Sequence, residues 1–108
     1  MESDAVIRAL AALAQAHRLS AFRALVVAGP QGMTPSTMAE GLQIAPATLS
    51  FHLKELLTAG LVTQSREGRH LIYRAEFDRM NELLGFLTAN CCAGGSCAVN
   101  ESSAACHC

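Results

Sequence analysis

Two prolines, Pro35 and Pro46, each stand at the start of a short apolar pattern, and they constrain the fold more than any other feature of the sequence. Proline suits the first position of a helix, where its missing N–H would have no intrahelical partner. Thr34 precedes Pro35 as an N-cap residue, and leucines follow Pro46 at helical spacing until Gly60. Those leucines are Leu49, Leu53, Leu56 and Leu57. The sequence therefore predicts two short helices joined by a brief connection, with the leucine stripe of the second helix in the core.

The flanking segments predict three more helices and a hairpin. Helical spacing of apolar residues runs over residues 4–15, and again in HRLSAFRALVVAG through Leu19, Phe22, Leu25 and Val26. The stretch LVTQSREGRHLIYRAEF changes to a β-hairpin pattern with a polar tip at residues 67–69, and a last helix is predicted over residues 76–89. The expected fold class is mainly α with a β-hairpin wing, the winged helix-turn-helix arrangement whose second helix enters the major groove of DNA.

Length and composition favour one compact domain, because 108 residues with 51% hydrophobic content can build a single core. We expect this domain over residues 1–90 and a small-residue, cysteine-rich tail over residues 91–108. Acidic residues precede the first apolar run, which does not resemble a signal peptide, and no run approaches the length of a membrane span. We therefore expect a cytoplasmic protein with reduced thiols and no membrane partner.

Evidence for nucleic-acid binding is local, because eight basic and nine acidic residues leave a net charge of −1. With the leucines inward, the opposite face of the helix after Pro46 presents hydroxyl, apolar and cationic groups of the kind that contact base edges and phosphates. The predicted DNA-binding residues of this helix are Ala47, Thr48, Ser50, Phe51 and Lys54, with His52 beside them. Between residues 46 and 74, the basic Lys54, Arg66, Arg69 and Arg74 outnumber the acidic Glu55 and Glu67.

The stretch MAEGLQIAPATLSFHLKELLTAGLVTQSREGRHLIYR resembles the ArsR/SmtB family of bacterial metal-sensing repressors. SFHLKELLTAGLV is similar to the recognition-helix signature of that family, REGRHLIYR is similar to its wing, and the resemblance covers about residues 5–90. It implies a homodimer formed through the first and last helices, no enzymatic activity, and contacts of Arg66 and Arg69 with phosphates or the minor groove of operator DNA. His52 could pack between helices or contact a phosphate. Phe51 departs from the family pattern, because many relatives carry a polar or basic residue there.

The cysteines point to the inducer. Cys91, Cys92 and Cys97 follow the last helix, and Gly94–Gly95 permit the reversal that would bring the third thiolate to the first two. Three thiolates suit trivalent arsenic or antimony, whereas structural zinc prefers four ligands. The pattern is similar to that of arsenical repressors with a vicinal cysteine pair and a third cysteine after the last helix. The cysteine positions of other arsenic sensors in the family are occupied here by Thr34 and Ser36.

The expected function is thus an As(III)- or Sb(III)-responsive repressor without an organic cofactor. Several alternatives remain open at the sequence level. Cys106, His107 and Cys108 could be auxiliary, or they could complete a four-ligand Cd, Pb or Zn site. A disulfide switch is another possibility, as is a tail whose cysteines are incidental. A cysteine-based arsenate reductase is disfavoured because no arginine follows the tail cysteines, and a metal carrier would leave the recognition-helix motif unexplained.

Overall fold

The computed structural model describes residues 1–91, and within this range the chain forms five α-helices and one two-stranded hairpin. In chain order the elements are α1 (Ser3–Leu13), α2 (Ala16–Ala28), a 3₁₀ turn (Gly29–Gln31), α3 (Pro35–Leu42), α4 (Pro46–Thr58), β1 (Val62–Glu67), β2 (His70–Ala75) and α5 (Phe77–Thr88). This order confirms the predicted winged helix-turn-helix fold. No helix in residues 1–91 is long and apolar enough to span a membrane.

Both proline-initiated helices begin where the sequence predicts. The Thr34 hydroxyl accepts a hydrogen bond from the Thr37 backbone N–H at 3.2 Å and so caps α3. Pro35 and Pro46 occupy the first turns of α3 and α4. Between the two helices, Gln43 takes the left-handed conformation at a φ of 56°, which turns the chain sharply.

The core is built mainly from long aliphatic side chains of α2, α3 and α4. Those that are completely enclosed are Leu25, Met38, Leu49, Leu53, Leu56 and Leu61. Three of the four leucines in the predicted stripe of α4 are therefore core, while Leu57 is half-buried and packs against the cluster. Burial of side chains of this size contributes about 1.5–3 kcal/mol each. The leucine stripe accordingly fixes which face of α4 is turned away from solvent.

The hairpin is attached to the helical domain through the segment that precedes α3. β1 and β2 are antiparallel, with Val62 opposite Ala75 at one end and Glu67 opposite His70 at the other. Met33 and Tyr73 exchange two backbone hydrogen bonds of 2.9 Å. Gly32 has a φ of 70°, and a Cβ there would lie 2.4 Å from the Tyr73 carbonyl oxygen. Only glycine permits this close approach of the two segments.

Several apolar residues of the predicted helical patterns are exposed. Helix α1 buries Val6, Ala9 and Ala12, whereas its larger side chains Ile7 and Leu10 face solvent. Leu19, which continues the predicted pattern of α2, is also exposed, because the buried residues of α2 are Ala21, Phe22 and Leu25. Alanines allow close approach of helix backbones, so the alanine-containing faces of α1 and α2 are buried. The spacing of the large apolar residues does not identify these faces in the sequence.

Candidate nucleic-acid interface

Helix α4 has one buried and one exposed face. Leu49, Leu53 and Leu56 point inward, and at about 100° of rotation per residue the side opposite them carries Phe51 at its centre. Apart from His52, the residues of α4 that were predicted to contact DNA are all exposed to solvent. They are Ala47, Thr48, Ser50, Phe51 and Lys54. This face therefore presents methyl, hydroxyl, aromatic and ammonium groups.

The elements behind α4 hold this face outward. Both α2 and α3 pack against the buried side of α4. Ile44, in the turn between α3 and α4, is buried, and its N–H donates to the Ala39 carbonyl at 3.0 Å. The turn is thus anchored by one apolar side chain and one backbone hydrogen bond. The resulting arrangement is that of a helix-turn-helix in which the second helix is free to enter a groove.

His52, also predicted among the DNA-binding residues, does not lie on the exposed face of α4. Its side chain is only 8% exposed, and Nδ1 accepts a hydrogen bond of 3.5 Å from Nη1 of Arg18. Its ring lies 5.5 Å from the ring of His17 and 5.5 Å from that of Phe51, between centroids. Burial, and then the charges of Arg18 and His17, lower the pKa of His52. His52 therefore packs against α2 and lies away from the exposed surface that carries the other predicted contacts of α4.

Arg18 is a residue that sequence reasoning missed. Its Nε donates to the carbonyl oxygen of Ala12 at 2.6 Å, in the last turn of α1, while Nη1 reaches His52 on α4. One guanidinium thus joins the end of α1, the start of α2 and the back of the recognition helix. Its partners are distant in sequence, so no local pattern could have identified this role.

The wing carries two exposed arginines near its tip. Arg66 lies at the end of β1, and Arg69 lies in the two-residue turn between the strands. Gly68 has a φ of 64°, which is the conformation required at the first central position of a type II′ turn. Arg66 is opposite Leu71 and shares a face of the hairpin with Tyr73. Tyr73 is buried, and that burial raises the pKa of its phenol.

Arg74 holds the wing in place. Its Nε donates to the Pro30 carbonyl at 2.8 Å, Nη1 donates to the Ser65 hydroxyl at 2.7 Å, and Nη2 pairs with Glu67 at 2.5 Å. Arg74 and Glu67 therefore neutralise each other. The exposed charges of the interface reduce to Lys54, Arg66 and Arg69 against Glu55. The hairpin register puts Arg74 on the same face as Ser65 and Glu67, so this pairing could have been predicted from the strand alignment.

Comparison with known proteins identifies the family. A helix-turn-helix domain model matches residues 13–65. The chain is 26% identical to an ArsR-like transcriptional regulator from Rhodococcus sp. RHA1, with a TM-score of 0.70 over 78% of this chain and 76% of that one. It is 30% identical to a homodimeric winged helix-turn-helix DNA-binding domain from Mycobacterium bovis, a possible ArsR-family regulator, with a TM-score of 0.64 over 81% of this chain and 80% of that one.

The chain belongs to the ArsR family. Reduced HlyU from Vibrio cholerae is 25% identical, with a TM-score of 0.61 over 79% of this chain and 90% of that one. No curated protein sequence matches the chain significantly. The ArsR-family chain is thus a transcriptional regulator with a winged helix-turn-helix DNA-binding domain, in which α4 is the recognition helix.

The predicted metalloid ligands of this ArsR-family regulator begin three residues after α5. Cys91 is half-buried, and it is the one predicted ligand within the described residues. Cys92, Cys97, Cys106, His107 and Cys108 lie outside them. Residues 1–91 contain no group of three His, Cys, Asp or Glu side chains that could hold a metal ion. Thr34 caps α3, and its hydroxyl lies 3.3 Å from that of Ser36, so the two positions that the resemblance to arsenic sensors singled out carry hydroxyl groups within α3 and its cap.

Proposed function

We propose that this ArsR-family regulator binds operator DNA as a homodimer and is released when As(III) or Sb(III) binds Cys91, Cys92 and Cys97. The observation that carries the proposal is the position of Cys91, three residues after α5, a helix that exposes the large apolar side chains of Phe86 and Leu87 in its last turn. An inducer held there acts on the element that we assign to the dimer interface. The DNA-binding face and the inducer site then communicate through α5.

Exposed apolar side chains on α1 and α5 support a dimer through these two helices. Ile7 and Leu10 on α1 are 63% and 41% exposed, and Phe86 and Leu87 on α5 are 43% and 54% exposed. The two helices pack against each other, so these side chains belong to neighbouring elements. Large apolar side chains grouped in this way are typical of a protein–protein interface. The solved relative from Mycobacterium bovis is homodimeric.

The chemistry of the donor set supports a thiophilic inducer. Thiolates favour soft ions over Mg²⁺ or Ca²⁺, and three of them complete the coordination of a trivalent arsenical without a fourth ligand. Cys91, Cys92 and Cys97 would hold the ion. Because Leu87 lies only four residues before Cys91, a rearrangement at Cys91 would be transmitted to the proposed interface. Coupling of about 1–3 kcal/mol between such sites would weaken DNA binding about 5–150-fold.

The proposal is tested by fluorescence anisotropy of the reduced protein on a DNA duplex from its own upstream region. Arsenite, antimonite, cadmium, zinc and peroxide are titrated in parallel, and we expect arsenite or antimonite to release the DNA at the lowest concentration. Cys92→Ser should abolish this release, whereas Cys106→Ser and Cys108→Ser should retain it.

The same titration distinguishes the other inducers that the tail could serve. Release by cadmium or zinc alone would favour a four-ligand site that includes Cys106, His107 or Cys108. Release by peroxide alone, reversed by a thiol reductant, would favour a disulfide switch. Full arsenite-driven release from Cys92→Ser would contradict the three-thiolate site. In each of these cases the DNA-binding role is retained.

A further inference from the structure

Phe51 is a large apolar side chain exposed on the helix that reads DNA. It is 57% exposed and lies at the centre of the solvent face of α4, one turn after Ala47 and about one turn before Lys54. The folding of the domain does not account for this placement, because Leu49, Leu53 and Leu56 already form the buried stripe of α4. The position of Phe51 instead suits contact with a molecule that enters against α4.

The other exposed groups of α4 narrow what that face can recognise. Guanine is read in the major groove by Arg or Lys, and adenine by Asn or Gln. Helix α4, described over its whole length, has the sequence PATLSFHLKELLT and so contains neither Arg, Asn nor Gln. Lys54 is its single cation. Thymine differs from the other bases in offering a methyl group in the major groove, and apolar side chains are the groups that recognise it.

The aromatic ring of Phe51 also has an ordered neighbour. Its centroid lies 5.5 Å from that of His52, with the two ring planes at 65°, in an edge-to-face arrangement. His52 is buried and is hydrogen-bonded to Arg18, so it provides a fixed support for the ring. A side chain that is already oriented loses less conformational entropy when it binds.

We propose that Phe51 reads the C5 methyl group of a thymine in the major groove, so that each half-site requires thymine at one fixed position. This inference rests on the proposed DNA-binding role of α4 and names the base that α4 selects. Burial of one methyl group changes affinity about fourfold. For a dimer with two equivalent half-sites, loss of both methyl groups should weaken binding about 15-fold.

The test uses duplexes that the full-length protein selects from a random pool. Each thymine of the selected consensus is replaced in turn by uracil, which lacks only the methyl group, and affinity is measured by anisotropy at constant salt. We expect the affinity for DNA to fall about 15-fold when one symmetry-related pair of thymines is replaced by uracil. Phe51→Ala should bind the thymine and uracil duplexes equally. If Phe51→Ala binds too weakly to measure, Phe51→Leu is used instead. Its preference for the thymine duplex over the uracil duplex should be smaller than that of the native chain but should not vanish.

Val27→Ala is the matched control, because Val27 is a 77% exposed apolar residue on α2 and should leave the thymine preference unchanged. Equal binding of thymine and uracil duplexes by the native chain would overturn the inference. A preference that persists in Phe51→Ala would also overturn it, because the methyl group would then be read by another residue or through DNA shape. Failure to select any consensus sequence would overturn the proposed operator binding itself.

Discussion

At the scale of single residues, burial decides the role of His52. The residue lies in the recognition-helix motif, but its imidazole is enclosed and accepts a hydrogen bond from Arg18. Arg18 in turn uses a second N–H to cap the carbonyl of Ala12. A buried polar group is costly without a partner, so the two side chains satisfy each other between α1, α2 and α4.

We predict that His52 makes the stability of the fold sensitive to mild acid. Burial lowers the pKa of folded His52 below its ordinary value of 6.5, so the unfolded chain takes up this proton first as pH falls. The contribution of His52 to the free energy of unfolding is therefore complete above pH 6.5 and is lost as the pH falls from there through the lowered pKa. The slope for one proton cannot exceed about 1.4 kcal/mol per pH unit.

This effect is measured by urea unfolding of the native chain and of His52→Gln between about pH 8 and pH 5, the range in which histidines usually titrate. The variant should lose part of the slope below pH 6.5. His70→Gln, which removes an exposed imidazole on the wing, is the control and should retain it. An unchanged slope in His52→Gln would mean that other groups cause the acid sensitivity.

At the scale of elements, the position of the wing depends on the segment between α2 and α3. The Met33–Tyr73 pair and the hydrogen bond from Arg74 to the Pro30 carbonyl both connect β2 to this segment. Arg66 and Arg69 therefore project from a hairpin that is fixed at its base to the helix-turn-helix. Gly32 permits this attachment, because its φ of 70° and ψ of −167° lie in a region that is almost restricted to glycine.

Two glycine substitutions should consequently have opposite effects. Gly32→Ala should lower the free energy of unfolding by about 2 kcal/mol or more, from backbone strain and from the clash with the Tyr73 carbonyl. Gly41→Ala should raise it by up to about 1 kcal/mol, because Gly41 is helical and a Cβ there meets nothing within 4 Å. Chemical denaturation measures both values. A neutral Gly32→Ala would show that the hairpin can move away from residue 32 at little cost.

At the scale of the whole molecule, the apolar residues that do not enter the core are grouped by helix. Those of α1 and α5 belong to two helices that pack together, which is why we assign them to the dimer. Leu19 and Val27 on α2 are also exposed and line a cleft of about 710 Å³ with Met33 and Leu42. Either surface could form the contact between protomers. Introducing a charged residue into each surface in turn shows which of them forms the dimer.

Leu87→Glu should convert the dimer to a monomer and weaken operator binding about 100-fold or more, because the two recognition helices would no longer bind as one unit. Val27→Glu, a change of equal charge on α2, should leave both properties unchanged. Sedimentation velocity and anisotropy measure the two effects. A monomer produced by Val27→Glu, with Leu87→Glu still dimeric, would place the interface on the α2 cleft instead.

Reasoning from the sequence alone predicted the order and type of the elements, the helix starts at Pro35 and Pro46, and which side chains of α4 other than His52 are exposed. These features depend on local chemistry, namely capping, proline geometry, side-chain period and the polar, glycine-containing tip of the hairpin. The burial of His52, the bridging role of Arg18 and the exposure of Leu19 were decided by the tertiary structure alone. Each of these features depends on which face of a helix packs against its neighbours. Contacts between distant segments, many of them through alanines, determine that face, and they leave no periodic pattern in the sequence.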